Sequence, residues 1–472
     1  VAAVSYWLGR AGWQRDPGAH GEAGERPLLA WLRANRGLVI ATEVLFAAVL
    51  FGWAIFRAYN PDISGTEKPM EFAFINGVLN SRLFPPQDPW LSGYAISYYY
   101  FGYVMLGILI RLTGVDPAVG FNIGVALWYA LVMLGAFGVV QMLVEKINAA
   151  GGINGRKLQL VVKDTAGSPE KAVSFAKQLI EEDKVLAIIG PSTSGETMQI
   201  KALCEENQVP LVSCAAAETI VNPVAKYVFK VPQKDSQAVT WIYRTMKDKG
   251  ISNIAILSST DGFGAAGKKQ LEDLAKGEGI TILANEVYDK QATDLTDVLT
   301  KVKGNSSVQA VVNWSIVPAQ SIVAKNMKQL GLNMPLFQSH GFGNLKYVQQ
   351  AGAAADGIIF PASRLLVVDD LPDNHPQKQV LAAYKKDYES RYKEDVSTFG
   401  GHSYDALMVV VEALKQAGTP DRQKLREAIE NLKGFVGTAG VFNFSATDHT
   451  GLDLDAFAML TVKDGKFTLY KK

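Results

Sequence analysis

The sequence predicts an α/β fold of two doubly wound lobes preceded by an α-helical transmembrane region, and three observations predict it. From Glu145 onward, short β-rich runs alternate with amphipathic helical stretches, the pattern of sheets covered by helices on both faces. The alternation fills about 330 residues, more than one sheet of ordinary size holds, so two lobes are expected. Before Glu145 the composition changes. Leu38 to Phe56 carries one charge, Glu43, while Pro89 to Ile110 and Pro117 to Val144 carry none, and each stretch is long enough for a bilayer core.

The whole chain has 472 residues, with 47 basic against 46 acidic side chains. A balance this even gives no reason to expect a nucleic-acid partner. Cys204 and Cys214 read as buried thiols, with one disulfide in an oxidising compartment as the other possibility. The five histidines and two cysteines show no metal-ligand spacing, and no glycine-lysine phosphate loop is present, so neither metal nor cofactor is expected. No cleavable leader is read from Val1 onward.

In residues 1–144 the expected spans are 38–56, 90–110 and 119–144. Arg10, Arg15, Arg26, Arg33 and Arg36 precede the first and place that side in the cytoplasm. The loop from Arg57 to Asp88 then lies outside, and so does everything after Glu145. The loop reads Asn60-Pro-Asp-Ile-Ser-Gly-Thr-Glu-Lys-Pro-Met-Glu71, followed by Phe84-Pro-Pro-Gln-Asp-Pro-Trp90 and Ser97-Tyr-Tyr-Tyr-Phe-Gly102. These motifs resemble polytopic membrane proteins named for a Tyr-Tyr-Tyr signature, themselves similar to lipid-linked-sugar glycosyltransferases. The resemblance covers about residues 36–143 and implies acidic groups at Asp62 and Glu67 that could bind a metal or act as a base. Three spans could hardly enclose a sugar-lipid cavity, so a membrane glycosyltransferase-like protein with a soluble appendage is only the alternative reading.

In residues 145–472 the β-rich runs are Lys157–Lys163, Val185–Ile189, Val209–Ser213, Asn253–Leu257, Ile280–Val287, Ala310–Asn313, Leu336–Gln338 and Gly357–Phe360. Glu170–Glu182 and Ala265–Lys276 read as amphipathic helices. The stretch Gly190-Pro-Ser-Thr-Ser-Gly-Glu-Thr197 ends a strand and opens a helix. Backbone N–H groups and hydroxyls at such a helix start favour an anion, and a carboxylate fits. An ordinary capped helix explains these eight residues about as well.

Ile147-Asn-Ala-Ala-Gly-Gly-Ile-Asn-Gly-Arg-Lys157, Ile189-Gly-Pro-Ser-Thr-Ser-Gly195, Tyr227-Val-Phe-Lys-Val-Pro-Gln-Lys-Asp-Ser236 and Asp261-Gly-Phe-Gly264 are similar to the leucine-type (type I) periplasmic solute-binding proteins of ABC importers. The resemblance implies two Rossmann-like lobes joined by three crossovers, closing on a ligand by a hinge and catalysing nothing. The first lobe is then about 145–234 plus 363–438, and the second about 235–362 plus 439–472. The implied ligand contacts are Ser192, Thr193, Ser194, Ala215 and Ala217 from the first lobe, and Phe263, Trp314 and His340 from the second. The implied partners are a small carboxylate and the membrane subunits of an importer, with residues 145–472 on the periplasmic or extracellular face of the cytoplasmic membrane.

Departures from that pattern narrow the ligand. Ala217 lacks the hydroxyl that amino-acid binders place there, and His340 stands where they hold an acidic residue for the ammonium. A buried ammonium without a carboxylate costs several kcal/mol, so an acid without an amine fits better. Gln338-Ser-His-Gly341 and Val396-Ser-Thr-Phe-Gly-Gly-His402 are similar to members that bind aromatic carboxylates. An aromatic or branched aliphatic carboxylate is therefore favoured over leucine. His340 as a solvated turn residue and Trp314 as plain core are the ordinary alternatives, and Asp235 and Asp261 read as helix caps or hinge residues.

The family's opening strand, usually central to its sheet, is replaced here by the third apolar stretch. Its loss should leave unpaired edges in the first lobe. Phe121-Asn-Ile-Gly-Val-Ala-Leu127 looks like that strand but lies too close to Ile147. Both parts look truncated at a seam near residue 144, as in a fusion of two reading frames.

Overall fold

The computed structural model describes residues 36–471 apart from 60, 64–67, 83, 90–92, 97–100 and 166. Glu67 and the arginines from Arg10 to Arg33 lie outside the described residues. The chain divides into two compact units, Val1–Glu145 and Lys146–Lys472.

The first unit is helical. Arg36–Tyr59, Lys68–Asn80 and Phe101–Thr113 are helices, and a fourth helix, Pro117–Ala149, begins in this unit. Ile75, Leu106, Ile110 and Phe121 form its small core. Arg57 is buried and donates to Asn122 Oδ1 at 2.8 Å and to the Asp62 carbonyl at 3.0 Å. Gly120 and Gly124 pack against Ile110 and Leu106, where an added Cβ would come within 2.5–2.6 Å. The stretches 38–56 and 119–144 fall inside helices, whereas 90–110 is met by a described helix only from Phe101. Thirteen residues there reach about 20 Å at 1.5 Å per residue, short of a bilayer core. Among the described residues no helix is long and apolar enough to cross a membrane.

The second unit contains two main sheets, one parallel and one mixed, beside a two-stranded antiparallel hairpin. One has β1 (Ile188–Ile189), β2 (Leu211–Ser213) and β3 (Val228–Lys230), in that order. The other is built from β4 (Asn253–Ser259), β5 (Thr281–Tyr288), β6 (Ala310–Trp314), β7 (Leu336–Gln338) and β8 (Ile359–Ala362). Between the parts of this sheet in sequence come the hairpin strands β9 (Phe435–Val436) and β10 (Val441–Phe442), then β11 (Ala458–Lys463) and β12 (Lys466–Leu469), which pair antiparallel at the edge of the second sheet. Its spatial order is β12-β11-β8-β7-β6-β4-β5. β6 is buried along its whole length, as a strand covered by helices on both faces should be. Ala255, Leu257, Val311 and Phe360 lie in the cluster on one side of this sheet, and Ile254, Ile256, Val312 and Trp314 in that on the other.

The expected strands and helices form, with ends moved by a few residues, except one. Lys157–Lys163 forms no strand and joins no ladder among the described residues, so the expected strand is corrected to an unpaired segment. Its anchor is a pair of bonds with the Asn148 side chain, 2.7 Å from the Leu158 amide and 2.9 Å to the Leu158 carbonyl, and Val162 remains 43% exposed. The physical reason is a missing neighbour, because a strand persists only where its N–H and C=O groups find partners. β1 is the edge of its sheet and pairs with β2 alone. Phe121–Leu127 lies within the helix Pro117–Ala149 and supplies no strand.

Candidate functional site

Three crossings join the two sheets, through Val231–Lys234, through the 3-10 segment Arg364–Asp370, and through Asp453–Phe457. Side chains tie the crossings together. Gln233 Nε2 donates to the carbonyls of Ala439 and Ala456 at 2.8 and 3.3 Å. Buried Lys230 Nζ donates to those of Pro232 and Gln233 at 2.6 and 2.8 Å.

Between the lobes three helices begin at one place. Ser194–Glu206 starts after β1, Gly262–Ala275 after β4, and Thr398–Ala417 on the first lobe. Each is capped by a side chain. Thr193 accepts the Glu196 amide, Asp261 those of Phe263 and Gly264, and Ser397 that of Gly400. The remaining first-turn N–H groups and the aligned peptide dipoles make the spot favourable for negative charge.

The lobes are closed on each other here. A Cβ on Gly262 would meet Gly195 N and Cα at 3.0 Å, and one on Gly343 would meet Thr398 Oγ1 at 2.5 Å. The Thr398 amide donates to the Gly343 carbonyl at 3.1 Å. What remains between them is a cavity of about 20 Å³, room for a water-sized group.

Ser192, Ser194, Thr398 and His402 line this cavity from the first lobe, and Phe263 and His340 from the second. Four of the eight residues expected at the site therefore share it: Ser192, Ser194, Phe263 and His340. Ser194 Oγ also accepts the Ala217 amide at 3.2 Å, and the Ala215 amide goes to Ser213 Oγ at 3.1 Å. Ala215 and Ala217 sit one layer back, and Ala216 reaches the cavity instead. The Thr193 hydroxyl is engaged with the Glu196 carboxylate. Trp314 is fully buried behind the wall, with ring centroids 5.5 Å from His340 and 5.7 Å from Phe263.

Thr398 and Phe399, of the run Val396–His402, also reach the cavity, as does Cys214, expected only as a buried thiol. Asp235, expected as a helix cap or hinge residue, is the first residue of the helix Asp235–Asp248 and follows its cap Lys234. It is fully buried, and its Oδ1 stands 3.7 Å from His340 Nε2.

Burial dominates the ionisation of these groups. It holds the His340 imidazole well below its ordinary range, with the charges of Lys230 and His402 acting the same way. It pushes His402 down to about 3, again aided by Lys230. Lys230 is lowered and Asp235 raised by burial, each opposed by the other's charge. The Cys214 thiol is pushed up to about 12, which leaves it inert as a nucleophile. None of the residues lining the cavity is acidic, and among the described residues no group of His, Cys, Asp and Glu could hold a metal ion.

The periplasmic binding protein family matches residues 119–466. A family of uncharacterized membrane proteins, DUF2298, matches residues 1–190, so the two matches share residues 119–190. A leucine-, isoleucine-, valine-, threonine- and alanine-binding protein of Pseudomonas aeruginosa is 26% identical over 61% of this chain and 75% of its own. An extracellular ligand-binding receptor from Rhodopseudomonas palustris HaA2 superposes with a TM-score of 0.65 at 25% identity, covering 69% of this chain and 94% of that one. The substrate-binding protein of a branched-chain amino acid transporter from Streptococcus pneumoniae, solved with isoleucine, gives 0.59 at 25% identity over 69% and 90%. Two hinged lobes, a cleft at converging helix starts and a family match over most of the length lead to one conclusion: the chain belongs to the periplasmic binding protein family and is a binder of solutes, not an enzyme.

Proposed function

We propose that the chain is the substrate-binding component of an ABC importer and that its cleft holds a small organic carboxylate, aromatic or branched aliphatic. The observation that carries this is the meeting of three helix N-termini at a cavity with hydroxyl and imidazole groups and no acid in its lining. A carboxylate gains from such a place, while an ammonium meets no countercharge on the cavity wall. Phe263, with Phe399 across the cleft, offers flat apolar surface to a ring or branched chain. The branched-chain amino acid binders among the relatives support the carboxylate half of this reading. Residues 1–144 hold the binding unit at the outer face of the cytoplasmic membrane, a reading supported by the membrane-family match and by the apolar stretches within it.

Isothermal titration of the full chain in detergent with benzoate and with L-leucine tests the ligand. Benzoate is expected to bind at least tenfold tighter; tighter leucine binding overturns the preference for an amine-free acid. Resistance of the chain to alkaline extraction from membranes tests the anchor, and release into the supernatant removes it.

A further inference from the structure

Beside the cleft several buried polar atoms have no hydrogen-bond partner among the described residues: Nδ1 and Nε2 of His340, Oδ1 of Asp235, Nδ1 of His402 across the cavity and Nε1 of Trp314 behind it. Each such atom costs about 1–3 kcal/mol, and a concentration of them marks a place arranged for something other than packing. Their geometry is directional. His340 lines the cavity and Asp235 does not, so the imidazole stands between the cavity and a carboxylate 3.7 Å behind it. That carboxylate is fixed from the first lobe, since its Oδ2 accepts the Glu218 amide at 3.1 Å. Phe263, Trp314 and Phe457 surround the imidazole edge-on, with centroids 5.2–5.5 Å away, and leave it few polar neighbours.

We propose that Asp235 is a positioning residue for His340, and that this dyad takes up one proton from solvent when an anionic ligand enters the cleft. The proposal rests on the carboxylate reading above and deepens it. No bond is broken: a proton moves from solvent to the dyad, and the bound anion faces an imidazolium backed by a carboxylate. Lys230 on β3 and His402 on the helix Thr398–Ala417 act on the ring with positive or neutral groups; Asp235 is its acidic neighbour at 3.7 Å, with Glu218 acting on Asp235. Without an anion, burial and Lys230 keep the ring neutral. An anion on the open side adds the attraction that reverses this.

The sign follows by linkage. Uptake of a proton on binding makes affinity rise as pH falls, until the ligand's own carboxyl begins to protonate at around pH 4–5. An imidazolium also repels an ammonium, which extends the selection against zwitterions from a missing acid to an opposing charge.

The test is titration of the full chain with benzoate at pH 7 in phosphate and in Tris, whose ionisation enthalpies differ, and at pH 6 and 8. The expected result is uptake of up to one proton per benzoate and a Kd that tightens several-fold, at most tenfold, per pH unit lowered. His340→Gln should bind benzoate with no proton uptake and a flat profile. Asp235→Asn should still bind but with a reduced pH slope, and an unchanged slope removes its positioning role. Equal heats in both buffers together with a flat wild-type profile overturn the dyad and leave the carboxylate reading standing. Leucine bound while benzoate is not, or no binding of either, overturns both. Because the buffer pair is run on the unaltered chain, the test survives misfolding of either variant.

Discussion

The two sheets of the binding unit are written in the same strand-and-helix language but are finished to different degrees. The second has seven strands, and β4 pairs with β5 along seven residues. The first has three strands of two or three residues, and the apolar run that should extend it lies unpaired at Lys157–Lys163. Local sequence is not the cause, because Leu158-Gln-Leu-Val-Val162 is as β-prone as Ala310-Val-Val-Asn-Trp314. The contrast teaches that strand formation is settled by the neighbour across the ladder, and the neighbour is what the first lobe lacks.

Four measurements sharpen or break this contrast. Trp314→Ala, which empties the fully buried centre of the second lobe, is expected to lower stability by about 3–5 kcal/mol, read by denaturant titration. A loss below 1 kcal/mol would mean that this lobe is not the well-packed one.

The first lobe instead buries polar groups of opposite pH sense. His402 is lowered to about 3 and Asp405 raised to about 7, both mainly by burial. A depressed histidine is fully compatible with the fold above pH 6.5 and destabilises it as pH falls toward 3. A raised aspartate destabilises as pH rises from 3.8 to 7. Relative to wild type, His402→Gln should gain on acidification and Asp405→Asn on alkalinisation, each on the order of 4 kcal/mol across its window. Parallel curves for wild type and both variants would sink this account.

Native-state hydrogen exchange should show the amides of β2 opening at about 2 kcal/mol lower free energy than those of β6. Equal protection breaks the comparison directly. The smallest effect concerns closure. Gly262→Ala places a methyl group against the Gly195 backbone and is expected to weaken ligand binding roughly tenfold, about 1.4 kcal/mol, with little change in melting temperature. Unchanged affinity would show that the lobes do not need this contact.

Much of the candidate site was readable in the sequence. The hydroxyl-rich turn around Ser194 announces itself by local chemistry, whereas the Asp261-Gly-Phe-Gly264 and Gln338–Gly343 segments were legible only through the family resemblance; Ser194, Phe263 and His340 meet at one cavity. Trp314 instead sits behind the wall, at the end of β6 and fully buried in the cluster that holds Phe263 and Phe337. For Asp235 the sequence reading, a cap or hinge residue, did not reach its neighbour His340. Its place at the first turn of a helix explains an aspartate by itself, and only the tertiary packing brings the Glu218 amide to its Oδ2 and the His340 ring near its Oδ1.

By itself the sequence determined the alternation of elements, the two-lobed plan and the small-residue turns at the helix starts, because propensity, capping and periodicity act within a few residues. Tertiary structure decided which strands found partners, how tightly Gly195 meets Gly262, and that a carboxylate stands behind the cleft histidine. Those outcomes depend on groups distant in the chain, whose burial and pairing are fixed only when the lobes pack.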